Sequence, residues 1–85
     1  MADEVRLECT LRGMRREVRC TLVTWKEASS TGRLYTRGRI TGEPPDLPDG
    51  SYAVSFGEHS VVTRKWEGHW LLRYLPGSVE AERAA

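Results

Sequence analysis

Eighty-five residues, 39% hydrophobic and 29% charged with a net charge of +1, bound the chain to a single small hydrophobic core. The apolar content is too high for a disordered segment, and the charge is too balanced for a protein whose main work is to coat nucleic acid. No apolar run approaches membrane-spanning length, and the acidic Met1–Glu4 stretch lacks the apolar segment of a signal peptide, so the expectation is a cytoplasmic protein with no membrane partner.

The expected organisation is one β domain over residues 1–77 and a short polar C-terminal tail over 78–85. Val5 to Arg12 alternates without error: Val5, Leu7, Cys9 and Leu11 are apolar, and Arg6, Glu8, Thr10 and Arg12 are polar. Val18 to Trp25 places Val18, Cys20 and Leu22 on one face. A connection at Gly13–Arg16 sets Arg12 against Glu17, Leu11 against Val18, Cys9 against Cys20 and Leu7 against Leu22, so every apolar residue meets another. A loop at Gly13-Met14 would instead oppose Leu11 to Arg16. The rival for residues 4–28 is one long helix, because Leu7, Leu11, Met14, Val18, Leu22 and Trp25 also fall three or four apart. Gly13 in the interior and the β-rich run after Glu17 favour the strands.

Ala28 to Gly32 has the composition of a loop. Arg33 to Thr41 is expected as a third strand with Leu34 and Ile40 inward and Tyr35, Arg37 and Arg39 outward. Gly38 within it predicts a bend, a bulge or a close approach. Pro44, Pro45 and Pro48 break the chain between Gly42 and Gly50, with Leu47 able to anchor the loop.

In the second half, a turn at Gly57-Glu58 pairs Phe56 with His59, Val54 with Val61 and Tyr52 with Thr63. A turn at Glu67-Gly68 pairs Trp66 with His69, Lys65 with Trp70, Thr63 with Leu72 and Val61 with Tyr74. The two turns independently put Val61 and Thr63 on one face with Tyr52, Val54, Trp70 and Leu72, the signature of an antiparallel meander. Pro76-Gly77 ends the last strand. The predicted fold is therefore all-β, a single antiparallel meander of about six strands curled into a small barrel or a two-layer sandwich. Its predicted core is Val5, Leu7, Leu11, Val18, Leu22, Leu34, Ile40, Tyr52, Val54, Phe56, Val61, Trp70, Leu72 and Tyr74.

Chemistry is sparse. Cys9 and Cys20 are too few for a disulfide scaffold and are expected as buried thiols. With His59 and His69 they form no zinc-ligand spacing, and no cofactor is expected. The histidines flank turns, and no phosphate loop, paired-carboxylate motif or nucleophile elbow is present. A catalytic role is therefore not expected.

The charge layout is more informative. Thr10 to Gly42 holds eight basic residues against Glu17 and Glu27, whereas Glu43 to Ser60 holds four acids and no base. Eleven of the thirteen basic residues are Arg, a bias that a GC-rich genome is enough to explain. Parity sends Tyr35, Arg37, Arg39, Arg64, Trp66, His69, Leu71 and Arg73 to the outer surface. Arg interleaved with aromatic rings is the composition of protein-interface hot spots and also of platforms for single-stranded nucleic acid. The bland alternative is a solvated face with Arg stems lying over the rings. The expected function is a non-catalytic protein–protein interaction module, with self-association through a sheet edge as one form of it. The alternative is a nucleic-acid-binding barrel using the same Arg/Trp/Tyr face, with Arg37, Arg39, Arg64, Trp66 and Arg73 as its contacts.

Overall fold

The alternating first segment is a strand, β1 (Val5–Gly13), and it folds back on β2 (Arg16–Ala28) in a long hairpin, which excludes the helix. The structure is a computed structural model describing residues 4–73 and 75. Leu7 faces Leu22, Cys9 faces Cys20, Leu11 faces Val18 and Arg12 faces Glu17, as the apolar register requires. The connection is tighter than a four-residue link, because Gly13 and Arg16 are themselves paired and only Met14 and Arg15 turn. Both have positive φ, 51° and 62°, the pattern of a two-residue hairpin turn that Asn and Gly normally fill. Space for the Met14 side chain comes from Gly50, where an added Cβ would lie 2.7 Å from the Met14 sulfur.

The remaining strands are β3 (Leu34–Thr41), β4 (Gly50–Phe56), β5 (His59–Trp66) and the two-residue β6 (His69–Trp70). Every pairing assigned to the Gly57-Glu58 turn is present, as are Trp66 with His69 and Lys65 with Trp70. The sheet order is β3-β2-β1-β4-β5-β6. It curls until its ends meet: Arg37 bridges Arg73, Gly38 N donates to Leu72 O at 3.2 Å, and Leu75 N donates to Thr36 O at 3.0 Å. The result is a nearly closed antiparallel barrel, which settles the choice against a sandwich. Closure depends on Gly38, since a Cβ there would come within 2.8 Å of Leu75 Cδ1 and 3.1 Å of Leu22 Cδ1.

Inside the barrel, Leu11, Leu22, Tyr52, Val54 and Phe56 are almost fully buried with Cys9, Cys20, Ile40 and Leu72. Leu7, Val18, Val61 and Trp70 pack on this cluster from its half-exposed margin, and Val5 is also half-buried. Leu34 corrects its expected inward placement. It is 66% exposed, because the β2–β3 ribbon runs on past the barrel and there pairs Leu34 only with the exposed Ala28. Tyr74, Pro76-Gly77 and the 78–85 tail lie outside the described residues.

The proline loop closes one end. Leu47 is buried there, Lys65 Nζ donates to its carbonyl at 2.8 Å, and the Tyr52 hydroxyl donates to the Pro48 carbonyl. The Asp49 carboxylate accepts from the backbone N–H of Glu67, at 2.7 Å, so the loop also holds the β5–β6 turn. Lys65 is thus an inward lysine, 8% exposed, whose ammonium lies 5.9 Å from the centre of the Trp70 ring.

Candidate functional site

The curl of the sheet divides the eight predicted surface residues into three groups. Arg37 and Arg39 on β3 come round to face His69, Leu71 and Arg73 beyond β5. Together they line a groove of about 530 Å³ along the seam where the barrel closes. Trp25, Ile40 and Trp70 complete its walls. Trp25 was not among the predicted site residues. Its signal was its outward parity on β2, but its place in the groove follows from its pairing with Arg37 across the β2–β3 ladder, which crosses an irregular loop.

A second group, Arg64 and Trp66, lies on the outer face of β5. The Arg64 guanidinium sits 5.4 Å from the centre of the Trp66 ring, yet Trp66 remains 56% exposed. Leu71 is 55% exposed on the neighbouring segment and donates its backbone N–H to Arg64 O at 3.0 Å, so the two groups are contiguous through β6. Val62, 80% exposed, extends the apolar strip along β5. Tyr35 stands apart. It pairs with Glu27 and lines a separate cleft with Ser29–Thr31, Arg33 and Leu34.

Charges near the seam are largely answered within the chain. Arg37 reaches Glu27 at 3.2 Å, and Trp25 Nε1 donates to the same carboxylate at 3.1 Å. These contacts, the indole first and then the guanidinium, hold the Glu27 carboxyl below its ordinary value. Arg39 reaches Glu4 at 3.1 Å and lies 5.5 Å from the Trp25 ring centre. Arg6 and Arg39 flank Val23 from the strands on either side and both approach Glu4. That arch accounts for Val23 having no exposed surface although its parity points outward.

The remaining reactive groups are held quiet. Burial, and then the neighbouring Cys20, push the Cys9 thiol up to about 11. Burial and Glu43 raise Cys20 as well. Both therefore keep their protons at neutral pH, and a protonated thiol is a poor nucleophile. The His59 ring lies against Phe56, with centroids 5.6 Å apart, and His69 is exposed on the groove rim. Among the described residues no three His, Cys, Asp or Glu side chains are grouped to hold a metal ion. Comparison of the chain with protein-family models, with curated proteins and with solved structures finds no match.

Proposed function

We propose that this domain is a protein–protein interaction module whose contact surface is the outer face of β5–β6 and the adjoining seam. One observation carries the reading: Val62, Trp66 and Leu71 form an exposed apolar strip, interrupted by Arg64, over β5 and the segment after β6, at 80%, 56% and 55% exposure. Keeping a large ring and two aliphatic side chains wet is unfavourable, and such strips are characteristic of surfaces that a partner covers. The arginines support a protein partner over nucleic acid. Arg37 and Arg39 already face Glu27 and Glu4, so the local field is weaker than an array of bare cations would give.

Trp66→Ala is the test. Its ring is exposed, so its loss should shift the melting temperature little while abolishing retention of a protein partner from native cell extract by the immobilised domain. Replacing Arg37, Arg39, Arg64 and Arg73 by Gln should reduce that retention only modestly and with little salt dependence. A partner held equally well by Trp66→Ala would overturn the proposal. So would tight binding of a single-stranded oligonucleotide with a steep salt slope that the Gln variant flattens.

A further inference from the structure

The barrel is incompletely closed, and the backbone on both sides of the gap is open to pairing. In β3, Gly38 N donates to Leu72 O and Thr36 O accepts from Leu75 N, so alternate residues of this strand aim their backbone groups at the seam. Parity directs Ile40 the same way. Across the gap, Leu71 N donates to Arg64 O and therefore points to β5, which turns the N–H and C=O of Trp70 toward the seam. No ladder joins β3 to β6 at this level. Among the described residues, the main-chain groups of Ile40 and Trp70 thus face the groove with no ladder joining them. The groove is a wedge, shut at the Arg37–Arg73 bridge and open at Ile40 and Trp70.

Two rows of side chains border this edge. The inner row is Ile40 and Trp70, whose indole N–H is taken by Glu43, and the outer row holds Arg37, Arg39, His69 and Arg73 with Trp25 and Leu71 among them. Arg37 and Arg39 reach their glutamates through the Nη1 atom of each, which leaves further guanidinium donors for a second carboxylate. We propose that the seam accepts an extended segment of a partner protein in which apolar and acidic residues alternate. Its main chain pairs with Ile40 and Trp70, its apolar side chains turn inward onto those two residues, and its carboxylates turn outward to Arg39 and Arg73. This rests on the reading of the face as a protein contact and specifies what enters it. A nucleic-acid strand lacks the alternating amide donors and acceptors that the open edge would match.

The probe is the blocked peptide Val-Glu-Val-Glu-Val-Glu, titrated into the full chain labelled with ¹⁵N. Binding should slow amide exchange at Ile40 and Trp70 and shift their resonances. The Val-Lys counterpart should bind more weakly, as should a Val-Glu peptide with alternate main-chain nitrogens methylated. Arg39→Gln should weaken the Val-Glu peptide by about two- to fivefold, the worth of one rim ion pair. Arg12→Gln, at an ion pair with Glu17 away from the seam, should leave its affinity unchanged. Equal binding of the lysine or the N-methylated peptide would overturn the proposal, and so would shifts that avoid Ile40 and Trp70. If Trp66→Ala removes a native partner while the peptide ignores the seam, this inference alone fails. If the peptide occupies the seam while Trp66→Ala keeps every native partner, the broader reading fails and the strand site stands.

Discussion

The outer surface over β1–β3 and the outer surface over β5–β6 arise from the same strand alternation but are finished differently. Over β1–β3 several outward charges are answered: Arg12 meets Glu17 at 2.6 Å, Glu4 spans Arg6 and Arg39, and Arg37 meets Glu27. Over β5–β6 the outward residues are Val62, Trp66 and Leu71, with Arg64 lying on the Trp66 ring. Ladder length differs in the same sense. β2 has thirteen residues and neighbours on both sides, whereas β6 has two residues and pairs only with β5. The wall over β2–β3 carries more of its own counter-charges, whereas the exposed apolar residues gather over β5–β6, with Leu71 reaching the seam.

Substitutions can break or sharpen that contrast. The largest effect should come from the core shared by both walls. Phe56, 2% exposed, should cost about 3–5 kcal/mol on truncation to Ala, enough to threaten a domain of this size in a denaturant melt. Lys65→Ala comes next, because it leaves the Leu47 carbonyl without its donor and unpins the proline loop from β5. A loss of about 1–3 kcal/mol is expected. Lys65→Met should recover the packing of the stem but not the hydrogen bond. An unchanged melt for Lys65→Ala would show that Leu47 burial and the Tyr52 and Asp49 hydrogen bonds hold the loop without it.

A smaller effect tests the self-sufficiency of the β2–β3 surface. The Glu27 carboxyl sits below its ordinary value of 4.5 because it accepts from Trp25 and then from Arg37. A carboxyl depressed in the folded state stabilises the fold above its unfolded pKa, and that stabilisation is lost as pH falls through the lower folded value. Glu27→Gln should therefore lower the melting temperature near neutrality, and the difference from wild type should vanish in strong acid. A difference that persists there would assign the effect to packing. The smallest stability effect is expected at Trp66→Ala, within about 0.5 kcal/mol, as befits an exposed ring. A large loss would place Trp66 in the fold's own packing and erase the contrast between the two surfaces. Independently, Cys9 should react with a disulfide reagent only about as fast as the protein opens, since its thiol is buried and its pKa raised to about 11.

Much of the fold was legible because tight turns transmit register. Two-residue connections at Gly57-Glu58 and Glu67-Gly68 leave no freedom in what faces what, and the apolar matches of β1 with β2 select one alignment over its neighbours. Leu34 was misplaced for the complementary reason. Alternation reports which side of a strand a residue occupies, but not whether the strand still has a core beneath it there. Lys65 shows the same limit from the other side. Its parity is inward, and only the folded proline loop supplies the carbonyl that lets an ammonium stay there. Val23 is buried on an outward position because Arg stems from two neighbouring strands and Glu4 cover it, an arrangement no single strand's pattern contains.

The candidate surface divides along the same line. Outward parity for Arg64, Trp66, Leu71 and Arg73 is a local property, and period-two alternation with short turns is enough to assign it. That Arg37 and Arg39 meet His69, Leu71 and Arg73 across one groove, with Trp25 beside them and Tyr35 left out, depends on the sheet curling through all six strands until its edges touch. Such closure follows from accumulated strand twist and from the absence of a Cβ at Gly38, contacts between residues far apart in the chain. The sequence by itself determined the strands, the hairpin pairings of β1 with β2, β4 with β5 and β5 with β6, and the side each residue faces, because those are set by near neighbours; the pairing of β1 with β4 in place of β3 with β4 is made only in the tertiary structure. Only the tertiary structure decided that the two ends of the sheet approach closely enough to form a seam and not closely enough to close it.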